Sequence, residues 1–238
     1  MKDRAQIKEI AKFQFKQRYG MSIGAALIFI LLAGGESGGL TFRNNYYNLS
    51  PQFQWLSVLW GIIIGIASIM FCVYIFVGAP LKVGYAHFCR CIYNNWITSV
   101  SDMFHRAFSD YGRNLGGMLW KDLFVFLWSL LFVIPGIVKA YAYFAAPYIL
   151  AEFPAVRPTD AIKISMRITD GFKAELFVLD LSFIGWFLLS GLTFGLLGIL
   201  YVNPYYFTSK AGFYEELKVN AINTGKVNYW ELTGYQAQ

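Results

Sequence analysis

The chain has 238 residues, of which 57% are hydrophobic and 19% aromatic, with only 14% charged and a net charge of +6. A soluble domain carries about 25% charged residues, so this balance argues against an ordinary globular protein and for an integral membrane protein. The basic excess clusters between apolar runs, as topology signals do. It is not interleaved with aromatic residues as a nucleic-acid stacking surface requires.

The first element is KDRAQIKEIAKFQFKQRYG, in which Ile7, Ile10 and Ala11 share one side and Lys and Arg surround them. It predicts a basic amphipathic helix at the membrane interface or beneath a bundle. The apolar run MSIGAALIFILLA follows. Its length suits a signal peptide, but the mixed-charge helix before it and AGGESGG after it, which is no A-x-A site, favour a first membrane span. Spans are expected at 21–33, 56–80, 118–134, 137–151, 176–192 and 196–207. Several fall short of the ~20 residues of a perpendicular span, so flanking aromatics or local bilayer thinning must make up the difference.

The connections alternate in charge. Lys2, Arg4, Lys8, Lys12, Lys16 and Arg18 precede the first span, and Lys82, Arg90, Arg106 and Arg113 separate the second from the third. Arg157, Lys163, Arg167 and Lys173 lie between the fourth and fifth, and Lys210, Lys218 and Lys226 follow the sixth. The opposite side has Arg43, with Lys121 and Lys139 intramembrane or interfacial. The rule that positive loops stay inside then makes both termini cytoplasmic. The outer connections are a polar loop at 34–55 and tight turns at Ile134-Pro135-Gly136 and at TFGLLG, 193–198. Asn48-Leu-Ser50 matches a glycosylation sequon but is followed by Pro51, and it reads as chance.

The inner segments have a helical period. In TSVSDMFHRAFSDYG, residues Val100, Met103, Phe104, Ala107, Phe108 and Tyr111 form one stripe. Ser99 and Asp102 form a capping-box pattern with Asp in place of Glu. In RPTDAIKISMRITDG, Pro158, Ala161, Ile162, Ser165, Ile168 and Phe172 form a second stripe, opposite Asp160, Lys163, Arg167 and Asp170. Each amphipathic helix leads through a glycine (Gly20, Gly112, Gly171) to an ascending span, and each returning span is expected to end near a proline (Pro80, Pro147, Pro204). The predicted fold is therefore all-α: a polytopic membrane protein with six transmembrane helices, built as three repeated units of an amphipathic helix plus a helical hairpin. The units run about 1–98, 99–154 and 155–218, with a cytoplasmic tail at 219–238.

IPGIVKAYAYFAAPYILAE at 134–152, LFVLDLSFIGWFLL at 176–189 and YVNPYYFTSKAGFYEEL at 201–217, together with the basic helix running into Gly20, give the chain a resemblance to a family. It resembles the bacterial integral membrane proteins grouped as domain of unknown function nine-seven-five, over most of its length apart from the outer loop and the tail. The resemblance implies a polytopic bacterial membrane protein with no established activity and no catalytic residues to transfer.

Asp180 is the leading candidate for chemistry, since a carboxylate one turn into a span needs a polar partner or an aqueous interior. Lys121 and Asp122 stand at similar depth in the preceding hairpin, so a Lys121–Asp180 pair is expected, either as a staple between units or on a substrate or proton pathway. Lys139 falls near the outer surface, where a lysine snorkels to the headgroups or helps hold an anionic ligand. Pro80, Pro147 and Pro204 are expected to kink their spans, with Asn203 and Tyr205 available to satisfy backbone freed by Pro204. Glu152, Glu215 and Glu216 follow the returning spans and are expected to pair with the basic helices. His87, Cys89 and Cys91 lack the further ligands of a metal site, so no metal or cofactor is expected. Serine-hydrolase, zinc-protease, P-loop and dinucleotide motifs are missing, which argues against an enzyme.

These features lead to a multi-pass protein of the bacterial inner membrane, acting as a scaffold, assembly or accessory component. Its basic helices would bind anionic lipid headgroups, another membrane protein or a second copy, and not nucleic acid. The alternative is a small transporter or lipid-handling protein with an intramembrane polar site at Asp180, Lys121, Asp122 and Lys139. A polar cavity reaching Asp180 favours the alternative; a packed, dry centre favours the scaffold.

Overall fold

The computed structural model describes residues 4–17, 21–22 and 54–234. The first expected span beyond Ser22, the outer loop up to Phe53 and its sequon lie outside the described residues. Every regular element among the described residues is helical. In chain order these are α1 (Arg4–Gln17), α2 (Gln54–Val73), a π-helical turn (Tyr74–Gly78), α3 (Ala79–Tyr93), α4 (Val100–Phe108) and α5 (Tyr111–Leu131). They continue with α6 (Val133–Ala142), α7 (Ala146–Glu152), α8 (Pro158–Ile168), α9 (Lys173–Leu181) and α10 (Ile184–Leu192). A second π-helical turn (Gly198–Val202), α11 (Asn203–Asn223) and α12 (Tyr229–Thr233) complete the fold. Among the described residues three stretches, Gly65–Tyr93, Val133–Glu152 and Lys173–Leu192, are long and apolar enough to cross a membrane.

The prolines start helical segments instead of ending them. Pro80, Pro147 and Pro204 each stand in the first turn of α3, α7 and α11, where the missing N–H costs nothing. Ahead of Pro80 and Pro204 the backbone widens to a π-turn: Ala79 N–H donates to Tyr74 O and Asn203 N–H to Gly198 O. The wider turn relieves the clash of the proline ring with the carbonyl four residues back. The phenol of Tyr111 donates to Phe76 O at 2.9 Å, the carbonyl that an N–H at position 80 would have taken in an α-helix. Expected bounds at Pro80 and Phe207 are thus corrected. α3 continues to Tyr93 and α11 to Asn223, because a proline at a helix start does not stop the helix it begins.

Ahead of Pro147 the chain breaks outright between α6 and α7. Ser165 Oγ donates to Ala142 O at 2.8 Å and accepts from Ala145 N–H at 3.0 Å, and Thr169 Oγ1 donates to Ala142 O at 3.1 Å. Ser165 is in α8 and Thr169 caps its end, so a neighbouring helix satisfies the broken backbone, as an apolar surrounding demands. The turn expected at Ile134-Pro135-Gly136 lies slightly earlier, at extended Phe132, and those three residues open α6. The turn expected at 193–198 is found at 193–195, with Phe194 and Gly195 at φ 51° and 82°.

The inner stripes are buried in part: Phe108 and Tyr111, at the end of the first, are exposed. Met103 and Ala107 in α4, and Ala161, Ile162, Ser165 and Ile168 in α8, are all buried. Ser99 caps α4 with the reciprocal Asp102 bonds in place, at 3.1 and 2.8 Å. Ile7 and Ala11 of α1 are fully buried, and α1 packs on α11 and α3. α3 lies against α4, α7 and α11; Gly84 meets Met103 O and Gly212 meets the Tyr93 ring so closely that neither position has room for a side chain. The segment expected as a tail is folded: Val227 and Leu232 are buried, and Arg167 holds Glu231 at 2.5 Å.

Burial divides the molecule. Toward the hairpin turns, large apolar side chains such as Leu130, Phe132, Ile134, Leu188, Leu192 and Phe194 are exposed. Toward the opposite ends, α3 and α7 are mostly buried, and α11 buries about half of its residues, Phe213, Tyr214 and Leu217 among them.

Candidate functional site

Where those two halves meet lies a cavity of about 380 Å³, within the range of small-ligand sites. It is lined by Lys82, Lys121, Lys210 and Asp180, by Tyr85, Tyr141, Tyr148 and Tyr206, and by the apolar Ala86, Ile137, Phe144 and Phe207. α3 contributes Lys82 two residues after Pro80, and α11 contributes Tyr206 and Lys210 shortly after Pro204. α6 and α7 contribute Tyr141 and Tyr148 on either side of their break. Interrupted helices thus place polar groups around one space between apolar walls.

Asp180 is on α9 and faces this space. Its Oδ2 accepts from Tyr141 OH at 3.0 Å, its Oδ1 from Tyr206 OH at 3.1 Å, and Lys210 Nζ lies 3.3 Å from Oδ1. The expected Lys121–Asp180 pair is therefore corrected: the ammonium on Asp180 is Lys210, and Lys121 Nζ pairs with its neighbour Asp122 at 3.5 Å. The reason is geometric. α11 runs unbroken past Phe207, so Lys210 sits one turn beyond Tyr206 and both reach the same carboxylate. Lys82, counted as an inner-loop charge, reaches Asp122 Oδ2 at 3.4 Å and accompanies the Tyr74 hydroxyl at 2.9 Å.

The three lysines are withdrawn from solvent, their side chains only 10, 18 and 17% exposed for Lys82, Lys121 and Lys210. Lys210 also lies over the Tyr206 ring at 4.5 Å. Lys139 does not join them. It faces away along α6, over the Trp128 ring at 4.9 Å. Cys89 lines the cavity wall, while His87 and Cys91 pair on another side of α3, Nε2 to Sγ at 3.5 Å.

A second polar cluster lies in the buried half. Arg90 donates to Glu215 and, at 2.8 Å, to Glu152. Lys218 reaches Glu152 at 2.7 Å and Glu215 at 2.7 Å, and the Tyr214 hydroxyl donates to Glu152 at 2.8 Å. Burial alone would raise the Glu215 carboxyl, but Lys218 and Arg90 outweigh it and hold the group below its ordinary value. The glutamates were expected to pair with the basic amphipathic helices; the partners of Glu152 and Glu215 are instead on α3 and α11, because α3 runs past Pro80 to Arg90 and α11 past Phe207 to Lys218. Arg113 and Arg106 cap the end of α7, donating to Leu150 O at 3.1 Å and Ala151 O at 2.5 Å.

An all-helical protein, with stretches apolar enough to cross a membrane and a lysine- and tyrosine-lined cavity among broken helices, is the class this structure defines. The chain belongs to the family described as protein of unknown function (DUF975), whose model matches residues 91–221, more than half of the chain. The match takes in Lys121, Asp180 and Lys210 and leaves Lys82, Pro80 and α1 outside it. No curated protein and no solved structure matches the chain.

Proposed function

We propose that this is a multi-pass protein of the bacterial inner membrane that transports or handles a small amphiphile, with both termini cytoplasmic. The observation that carries the proposal is the polar cavity that reaches Asp180, the feature that separates this role from a scaffold with a dry centre. The exposed apolar ends of the hairpins support a lipid-facing surface. The equivalent placement of Pro80, Pro147 and Pro204 at the starts of three packed helices supports six spans in three repeated units. Binding of anionic lipid or a partner subunit by the basic helices α1, α4 and α8 remains part of the proposal as an accessory role. No catalytic step is included.

Gentle extraction followed by native mass spectrometry tests it. Retention of a stoichiometric amphiphile by the wild type, and its loss on Asp180→Asn or on filling the cavity with Ala86→Phe, is the expected result. Retention that ignores both changes, or no bound amphiphile in a folded protein, would return the chain to the scaffold role.

A further inference from the structure

We infer that the cavity binds a phosphate oxyanion, presented as the net-anionic headgroup of a membrane lipid; this rests on the amphiphile-handling role proposed above. Three ammonium groups converge on the space from three different helices: Lys82 from α3, Lys121 from α5 and Lys210 from α11. Among the described residues, two carboxylates, Asp122 and Asp180, pair with them. Asp122 is shared by Lys82 and Lys121 at 3.4 and 3.5 Å, and Asp180 takes Lys210 at 3.3 Å. The five groups together carry an excess of positive charge in a partly desolvated site, where charge is costly unless compensated. Asp180 is further occupied by two tyrosine hydroxyls, so it is the better-satisfied carboxylate. Asp122, which is not part of the lining, holds Lys82 and Lys121, which are.

Ammonium groups, each with three rotatable donors, suit a phosphate as point charges. The oxygens of Tyr141 and Tyr206, whose protons go to Asp180, can accept from the hydroxyls of a glycerol headgroup. The shape of the opening favours a lipid as the source. Ile137 and Ala140 line the cavity and are themselves exposed, and Ile137 continues into the exposed apolar run of Ile134 and Val138 on α6. A headgroup in the cavity would leave its acyl chains along that apolar surface. Lys139, on the same helix but over Trp128 and outside the cavity, is the natural control.

The full chain in detergent is titrated with phosphatidylglycerol, with zwitterionic phosphatidylcholine and with inorganic phosphate, and bound species are read by native mass spectrometry. Phosphatidylglycerol should be retained at least about tenfold better than phosphatidylcholine. Lys121→Gln should lower that retention by about tenfold or more, the scale of a charge-assisted contact. Lys121→Arg should restore most of it, and Lys139→Gln should leave it unchanged. Should Lys121→Gln fail to fold, Lys82→Gln and the lipid comparison on wild type decide the matter alone. Binding of inorganic phosphate without lipid would confirm the oxyanion but overturn the lipid as its source. Equal retention of both lipids, indifferent to Lys121, would overturn the inference and leave the cavity's amphiphile-handling role standing. Retention of neither lipid nor phosphate would overturn both.

Discussion

Asp180 holds one ammonium and two phenolic hydroxyls at 3.0–3.3 Å, so the consequences of replacing it depend on which partner is tested. A double-mutant cycle between Asp180→Asn and Lys210→Met should give a coupling of about 0.5–3 kcal/mol, the range for contacting pairs. The corresponding cycle with Lys121→Met should give almost none. Thermal unfolding in detergent reads both, and equal coupling would mean that Lys121 is the true partner. The carboxylate itself was legible in the sequence because an acid inside an apolar run is conspicuous. Its partner was not, because Lys210 lies past a proline and a run of aromatics and reads as a loop charge. The i, i+4 spacing of Tyr206 and Lys210 was the available signal. Lys82 was missed for the same reason.

Glu215 gives a dependence on pH. Its carboxyl is held below its ordinary value of 4.5 by Lys218 and Arg90, against the raising effect of burial. A folded value below the unfolded one stabilises the protein fully above about pH 4.5, and that contribution vanishes as pH falls through the folded value. Glu215→Gln should therefore lower the unfolding temperature at pH 7 and lose most of that effect toward pH 3. An undiminished difference at pH 3 would show that Glu215 acts without its charge.

At the scale of elements, the breaks carry the design. The gap between α6 and α7 is closed by Ser165 of α8 and by Thr169 at its C-terminal cap, both fully buried. Ser165→Ala leaves the Ala145 N–H without its acceptor, and should destabilise the fold by about 1–3 kcal/mol. Hydrogen exchange at Ala145 and the residues beside it should accelerate with little change in α4, whereas uniform acceleration would locate the loss elsewhere. Ser99→Ala removes one half of the capping box and should cost about 1 kcal/mol, read as fraying confined to α4. The capping box, both inner stripes and the turn at Phe194 were legible because each depends on local spacing. The continuation of α3 and α11 was not, since a proline looks the same whether it ends a helix, kinks one or starts one after a π-turn. The satisfied gap at 143–145 depends on α8, and no local pattern in 142–147 announces it.

For the whole molecule, the division into an exposed apolar half and a buried charged half organises everything else. The network of Arg90, Glu152, Glu215 and Lys218 ties α3, α7 and α11 together in the buried half. Arg90→Met leaves two buried carboxylates sharing one lysine, and removing one partner of a buried ion pair costs about 3–5 kcal/mol. Unfolding in denaturant should show a loss on that scale, larger than that of Lys163→Met, whose pair with Asp160 is exposed. The all-helical class followed from composition and period, and the meeting of three lysines did not, because it needs the relative placement of α3, α5 and α11.

The cavity is the centre of the account, and its contents can be read directly. A photoreactive benzophenone side chain placed at Phe207, on the cavity wall, is irradiated in native membranes and the intact mass of the protein is measured. The account expects adducts of lipid mass at position 207, absent when the same group replaces fully buried Phe213. Crosslinks from position 207 to protein alone would mean a packed, dry centre, and would contradict it.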